Sequence, residues 1–189
     1  MIRHFGIGLF CAAVALFGGN ASSLFGGNAA WACGAWVEVA FFETDGDIFE
    51  ISNKSQGPWA VEELTIRLGG SRGRLIFDTE AGGLGASMAQ SFEAVEGAVA
   101  LVAASPVGDG AETIRLRFSG FAPGRRFEFV IDVDDRLENS DYGQAVVSGD
   151  EIEGADASVV LVTENGRTAN ARGRFGPDGR ARLKGGACA

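Results

Sequence analysis

Histidine is almost missing from this chain: the only one in 189 residues is His4. A zinc shell, a Ser-His-Asp triad and a general base near neutrality all draw on imidazole, so most hydrolytic mechanisms lose their central group. Basic residues are also in deficit, 16 Lys and Arg against 25 Asp and Glu, for a formal charge of −9. Such a surface repels nucleic acid and anionic lipid and attracts cations. No segment repeats its apolar residues at the 3.6-residue helical period. Only three cysteines are present, Cys11, Cys33 and Cys188.

The N-terminus reads as an export signal. Arg3 and His4 precede an uncharged run from Phe5 to Phe17. That is the layout of a secretory leader, and it is shorter than the roughly 20 apolar residues of a membrane span. The octapeptide Leu16–Ser23 is repeated almost unchanged at Leu24–Trp31, and Ala30-Trp31-Ala32 forms an A-x-A cleavage pattern. The expectation is a signal peptide over 1–32 and one domain over 33–189, with no transmembrane segment after cleavage. Cleavage removes Arg3 and no acid, which takes the charge from −9 to −10. Cys33 and Cys188 then stand at opposite ends of the 157-residue mature chain. An oxidising compartment favours a disulfide between them, worth about 5 kcal/mol in chain-entropy terms for so long a loop. Lipid modification of Cys33 is the other reading.

The rest of the chain alternates apolar and polar residues in short runs between turn signals. Ten to twelve strands with turns every 8–15 residues predict an all-β, single-domain antiparallel sandwich of jelly-roll type. The stretch Thr113–Asp135 reads as a hairpin about Pro123-Gly124, with Ile114, Leu116 and Phe118 on one strand and Phe127, Phe129, Ile131 and Val133 on the other. A meander closes the chain, Ser158–Thr163 turning at Asn165-Gly166 into Thr168–Phe175 and then through Pro177-Asp178-Gly179 into Ala181–Lys184. Gln144–Ser148 is expected as a further short strand, 149–154 as an acidic turn, and the glycine-rich 80–89 as a surface loop.

Charge is concentrated late in the chain. Residues 132–156 hold nine acids and one base, Arg136. Crowded carboxylates repel unless water or a cation screens them, and Ca²⁺ takes six to eight oxygens of this kind. The candidate metal ligands are Asp132, Asp134, Asp135, Asp150, Glu151 and Glu153, with Asp45 and Asp47 joining them if the fold brings that turn to the same end. The spacing is not that of an EF-hand, since Arg136 and Leu137 stand at its fifth and sixth positions. The other reading is a solvated acidic edge that resists strand-on-strand aggregation. Six bases gather in the terminal meander: Arg167, Arg172, Arg174, Arg180, Arg182 and Lys184. They form either an exposed face balanced by nearby acids or a patch for an acidic surface of another copy or an anionic glycan. Trp36 and Trp59 are core residues or a sugar-stacking platform.

Several stretches resemble a family of secreted bacterial proteins named after the aggregation-factor core protein of sponges. They are Gly73–Thr79, the glycine-rich loop with the Ser-Phe-Glu after it, Phe127–Asp135, Ser148–Ala155 and Cys188. The resemblance implies a secreted, non-enzymatic β-domain. For the sponge proteins it implies Ca²⁺-dependent adhesion through self-association and glycan contacts. The acidic cluster, the missing imidazole and the basic meander set the expected function, which the resemblance supports while leaving the ligand open: binding or self-association at or near the cell surface, with Ca²⁺ as cofactor, no catalysis and no nucleic-acid partner. The alternatives are a glycan-cleaving jelly roll using Asp132/Asp134 or Asp150/Glu153 as paired carboxylates, and a structural domain of an envelope assembly.

Overall fold

The computed structural model describes residues 34–44, 46–86, 88–95, 99–140 and 143–185. The expected leader, Cys33 and Cys188 lie outside these residues, as do Asp45 and Asp141. Twelve strands follow in order: β1 (Trp36–Phe42), β2 (Ile48–Asn53), β3 (Ala60–Arg67), β4 (Ile76–Asp78), β5 (Glu93–Ala94), β6 (Ala100–Ala104), β7 (Thr113–Phe121), β8 (Arg126–Val130), β9 (Asp132–Asp134), β10 (Asp156–Val162), β11 (Thr168–Arg174) and β12 (Arg180–Lys184). One helical turn, α1 (Gly149–Ile152), lies between β9 and β10.

Ten strands form one antiparallel, nearly closed sheet in the order β5-β8-β2-β1-β12-β11-β10-β3-β7-β6, and β4 pairs with β9 separately. The all-β sandwich or barrel-like class follows from this topology. Its two edge strands, β5 and β6, are consecutive in sequence. β1 and β12, the first and last strands, pair side by side near the sheet's middle, Val39 opposite Ala181. Period-two alternation sets the inward rows: β7 alternates exposed and buried residues along Thr113–Phe118, and β10 buries Ala157, Val159 and Leu161. Phe49 sits at the core's centre, stacked on Phe129 at 5.0 Å, with Phe41 at 5.2 Å and the edges of Phe77 and Phe175 beyond.

The expected hairpin over Thr113–Asp135 does not form. β7 pairs with β3 and β6, whereas β8 pairs with β2 and β5. Alternation places side chains but does not choose a strand's neighbour. The Pro123-Gly124 turn does form, with the Arg125 amide donating to the Ala122 carbonyl. It is fastened to the end of β2 by Gly124 N–H to the Asn53 carbonyl (2.8 Å) and Asn53 N–H to the Arg125 carbonyl (3.1 Å). Four linking residues reach about 13 Å when extended, enough to cross the roughly 10 Å between packed sheet layers. β7 and β8 therefore meet through the core, where Phe118 and Phe127 lie 4.9 Å apart edge to face. Gln144–Ser148 is not a strand, and the acidic turn after it contains α1. The terminal meander forms as expected, β10–β11–β12.

The run Arg126–Asp134 changes partners at Ile131. Val130 is the last residue opposite β2, facing Ile48, and Asp132 is the first opposite β4. Asp47 makes the transition possible. Its carbonyl accepts from Ile131 N–H and its carboxyl Oδ2 accepts from Val133 N–H, both at 3.0 Å. The side chain thus replaces the ladder partner that β2 no longer supplies. Burial, with Glu43 alongside, pushes the Asp47 carboxyl up to about 9, so it is protonated at neutral pH. Asp47→Ala leaves the buried Val133 amide without an acceptor and should cost about 1–3 kcal/mol. Asp47→Asn, which keeps an acceptor oxygen, should cost less. Urea midpoints at constant m-value would check both.

Candidate metal centre

β4 and β9 are only three residues each, and their pairing sets Asp78 directly opposite Asp132 and Ile76 opposite Asp134. Side chains two apart on a strand share a face, as do directly opposed residues. Asp78, Asp132 and Asp134 therefore project from one face of this small sheet, while Phe77 and Val133 face the hydrophobic core. One carboxylate oxygen from each acid lies within 4.8 Å of the others. All three residues are buried, and Asp134 is 0% exposed.

Directly opposed like charges destabilise a sheet. Two full charges no more than 4.8 Å apart repel by at least roughly 3.5 kcal/mol at an effective dielectric of 20. The carboxyls respond as such crowding requires. Burial, then the charges of Asp134 and Asp78, raise Asp132 to about 7. Burial also raises Asp134 to about 6 against the opposing Ala86 amide, with Asp78 adding to the rise. Asp78 is raised by burial and then by hydrogen bonding to Asp109. Hydrogen bonds satisfy only part of the cluster. Asp134 Oδ2 accepts from the Ala86 amide, but Asp134 Oδ1 and Asp78 Oδ1 are buried with no hydrogen-bond partner.

The glycine-rich loop covers this face. Its neck is closed by backbone bonds from Gln90 N–H to the Asp78 carbonyl and from Asp132 N–H to the Gln90 carbonyl. Further along, the Leu84 amide donates to Asp109 Oδ2 (2.6 Å) and the Ala86 amide to Asp134. Gly85 is required where it stands, because a Cβ there would overlap the Asp78 and Asp134 carboxylates. The loop is at the surface, as its composition predicts, and its inner side also roofs the acidic cluster.

The donors suit a hard cation. Ca²⁺ binds oxygens at 2.3–2.6 Å, so two ligands on opposite sides of the ion stand about 4.6–5.2 Å apart. Three carboxylate oxygens all within 4.8 Å of one another are close enough to share one such ion. Three acids supply three to six oxygens, two of them the unpartnered atoms, and backbone carbonyls or water complete such shells.

Of the residues singled out from sequence, the structure brings Asp132 and Asp134 together and disperses the others. Asp135 points elsewhere, its Oδ1 accepting from Leu137 N–H at 2.8 Å. Glu151 belongs to a capping box at α1: Oε2 accepts from the Ser148 amide and hydroxyl, and Oε1 accepts from Ser140. Glu153 pairs with Arg72 at 2.8 Å, and Asp150 is exposed in the first turn of α1. Asp47 lies outside the cluster as a scaffold residue, holding the Val133 amide of β9, and the Asp132 charge adds to the rise of its carboxyl. Asp78 and Asp109 were missed. A usable signal was present, since RLIFD ends an apolar run on an acid just as FVIDVDD does.

Three of the meander's six bases, Arg174, Arg180 and Arg182, pair with acids. Glu38 accepts Lys54 (2.7 Å) and Arg180 (3.0 Å) with Arg182 at 3.7 Å, and Arg174 meets Asp156 and Arg182 meets Asp178. Trp59 is buried, whereas Trp36 is half-buried with Lys54 and Lys184 about 5.5 and 5.4 Å over its ring. No helix among the described residues is long and apolar enough to cross a membrane. Compared with known protein families, with curated proteins and with solved structures, the chain has no match.

Proposed function

We propose that this protein is an exported, non-enzymatic β-domain that binds a divalent cation, Ca²⁺ best fitting the donors, and acts by binding or self-association at or near the cell surface. The observation that carries the cation reading is the pair of buried, unpartnered oxygens on Asp78 and Asp134 within a three-carboxylate cluster. Asp78, Asp132 and Asp134 hold the ion, which neutralises charges the fold otherwise leaves opposed. Roofing by the loop favours an ion over a glycan as the ligand of these acids, because a polymer needs an open cleft. The resemblance to the aggregation-factor family supports the export and association parts of the reading.

Isothermal titration of the chelated protein with CaCl₂ tests the cation. One binding event is expected, absent in Asp132→Asn and retained in Glu153→Gln. Ca²⁺ at 100 times its Kd should stabilise the fold by about 2.7 kcal/mol. No heat and no change in melting midpoint would remove the cation from the proposal. Sedimentation with and without Ca²⁺ tests self-association, which should appear only with the ion. Turnover of a polysaccharide that is lost in Asp134→Asn would instead favour the paired-carboxylate alternative.

A further inference from the structure

The loop over the metal centre has a secure neck and a weakly attached tip. Beyond the backbone bonds at Gln90, the Ser91 hydroxyl also donates to the Thr79 carbonyl at 3.2 Å. The tip's own backbone bonds are local, Gly83 N–H to the Glu80 carbonyl and Met88 N–H to the Ala86 carbonyl. Among the described residues, its hydrogen bonds to the rest of the protein end on carboxylates: Leu84 N–H on Asp109 and Ala86 N–H on Asp134. One apolar contact adds to them, Leu84 lying against Gly110 so closely that a Cβ there would overlap it.

We infer that a cation held by Asp78, Asp132 and Asp134 is also the latch of the 80–90 loop, pinning its tip through Asp134 when bound and releasing it when removed. The inference rests on the cation reading above. Asp134 divides its two oxygens between the tasks, Oδ2 taking the Ala86 amide while Oδ1 lies buried without a hydrogen-bond partner. Repulsion from Asp78 and Asp132 acts against the close grouping of carboxylates in which Asp134 meets Ala86. A cation among the three cancels that repulsion and fixes the carboxylate where the amide needs it. Amide and ion therefore favour the same carboxylate position, and two ligands that favour one state help each other by the same factor. Leu84 and Met88, 65% and 52% exposed, ride on the tip. The ion thus governs how two large apolar side chains are displayed.

Hydrogen exchange of the full chain, in EDTA and in saturating CaCl₂ at one pH, tests the latch alongside calorimetry on the same samples. Exchange at the Leu84 and Ala86 amides is expected to slow at least about tenfold with Ca²⁺. Calorimetric binding with unchanged exchange would overturn the latch and leave the metal centre standing. Absence of binding heat would overturn both. Leu84→Gly supplies the reciprocal arm, since it alters no charge and loosens the tip at its apolar contact. Added chain freedom of 0.5–1 kcal/mol corresponds to an affinity for Ca²⁺ weakened about two- to fivefold. The melting midpoint in EDTA, where the tip is already released, should not move. Unchanged Ca²⁺ affinity in Leu84→Gly would overturn the coupling.

Discussion

Asp134→Asn should make the chelated protein more stable and abolish its response to Ca²⁺. At neutral pH without a cation, the wild-type cluster opposes Asp134 to Asp78 and Asp132 within 4.8 Å in a buried site. Asparagine removes one charge, keeps an acceptor for the Ala86 amide and offers a donor to the neighbouring Asp78 carboxylate. Relief of one like-charge contact is worth roughly 2–3 kcal/mol at an effective dielectric of 20. For a domain of this size that is an increase in Tm of about 4–12 °C in EDTA. In Ca²⁺ at 100 times its Kd the gap closes, because only the wild type gains from the ion, by about 2.7 kcal/mol. Calorimetric melts of both proteins under both conditions supply the four midpoints. A variant that is less stable than wild type in EDTA would show that the Asp134 charge is compensated by something other than a cation.

The second large effect is a dependence of stability on pH that Ca²⁺ suppresses. Asp134, Asp132 and Asp47 are raised to about 6, about 7 and about 9, against an unfolded value near 4. Between those limits the folded state binds more protons than the unfolded one, so stability falls as pH rises. Their contribution is complete below about pH 4 and is lost as pH climbs through 6, 7 and 9. Glu38 works in the opposite direction. Burial pushes its carboxyl up, but Lys54, Arg180 and Arg182 outweigh this and lower it, so its stabilisation is present above about pH 4.5 and disappears in acid. The chelated protein should therefore be most stable near pH 5 and lose several degrees of Tm by pH 8.5. Saturating Ca²⁺ should flatten that slope, since the ion binds carboxylates and competes with their protons. Parallel slopes with and without Ca²⁺ would place the titrating acids outside the metal centre.

The strands were legible because their signal is local. Val159 and Leu161 alternate with exposed neighbours, Asn165-Gly166 marks its own turn, and the all-β class follows from many such segments. Pairing was not legible. Phe118 and Phe127 look like partners on adjoining strands, yet they meet as opposing core residues, because a four-residue link can also cross between layers. The metal centre was half legible for the same reason. Asp132 and Asp134 are two apart on one strand, so a shared face follows from the backbone period. Asp78 reaches them only through β4–β9 pairing across more than fifty residues of sequence, and no local pattern reports that. Charge density misled at Glu151 and Glu153. It counts acids without asking what each already holds, and Ser148-x-x-Glu151 is itself a capping-box spacing.

The central placement of β1 against β12 bears on how the chain is made. Val37 to Ala40 must find Leu183 to Arg180, about 145 residues further along. A ribosome releases residues at roughly 5–20 per second, so the first strand waits on the order of ten seconds for its neighbour. During that wait β1 is paired with β2 on one side and has its other edge open, because its native partner there is β12. Wherever the chain emerges N-terminus first, at the ribosome or across a membrane, it thus carries an unpaired β1 edge until the final hairpin, β11–β12, fills the gap between β10 and β1.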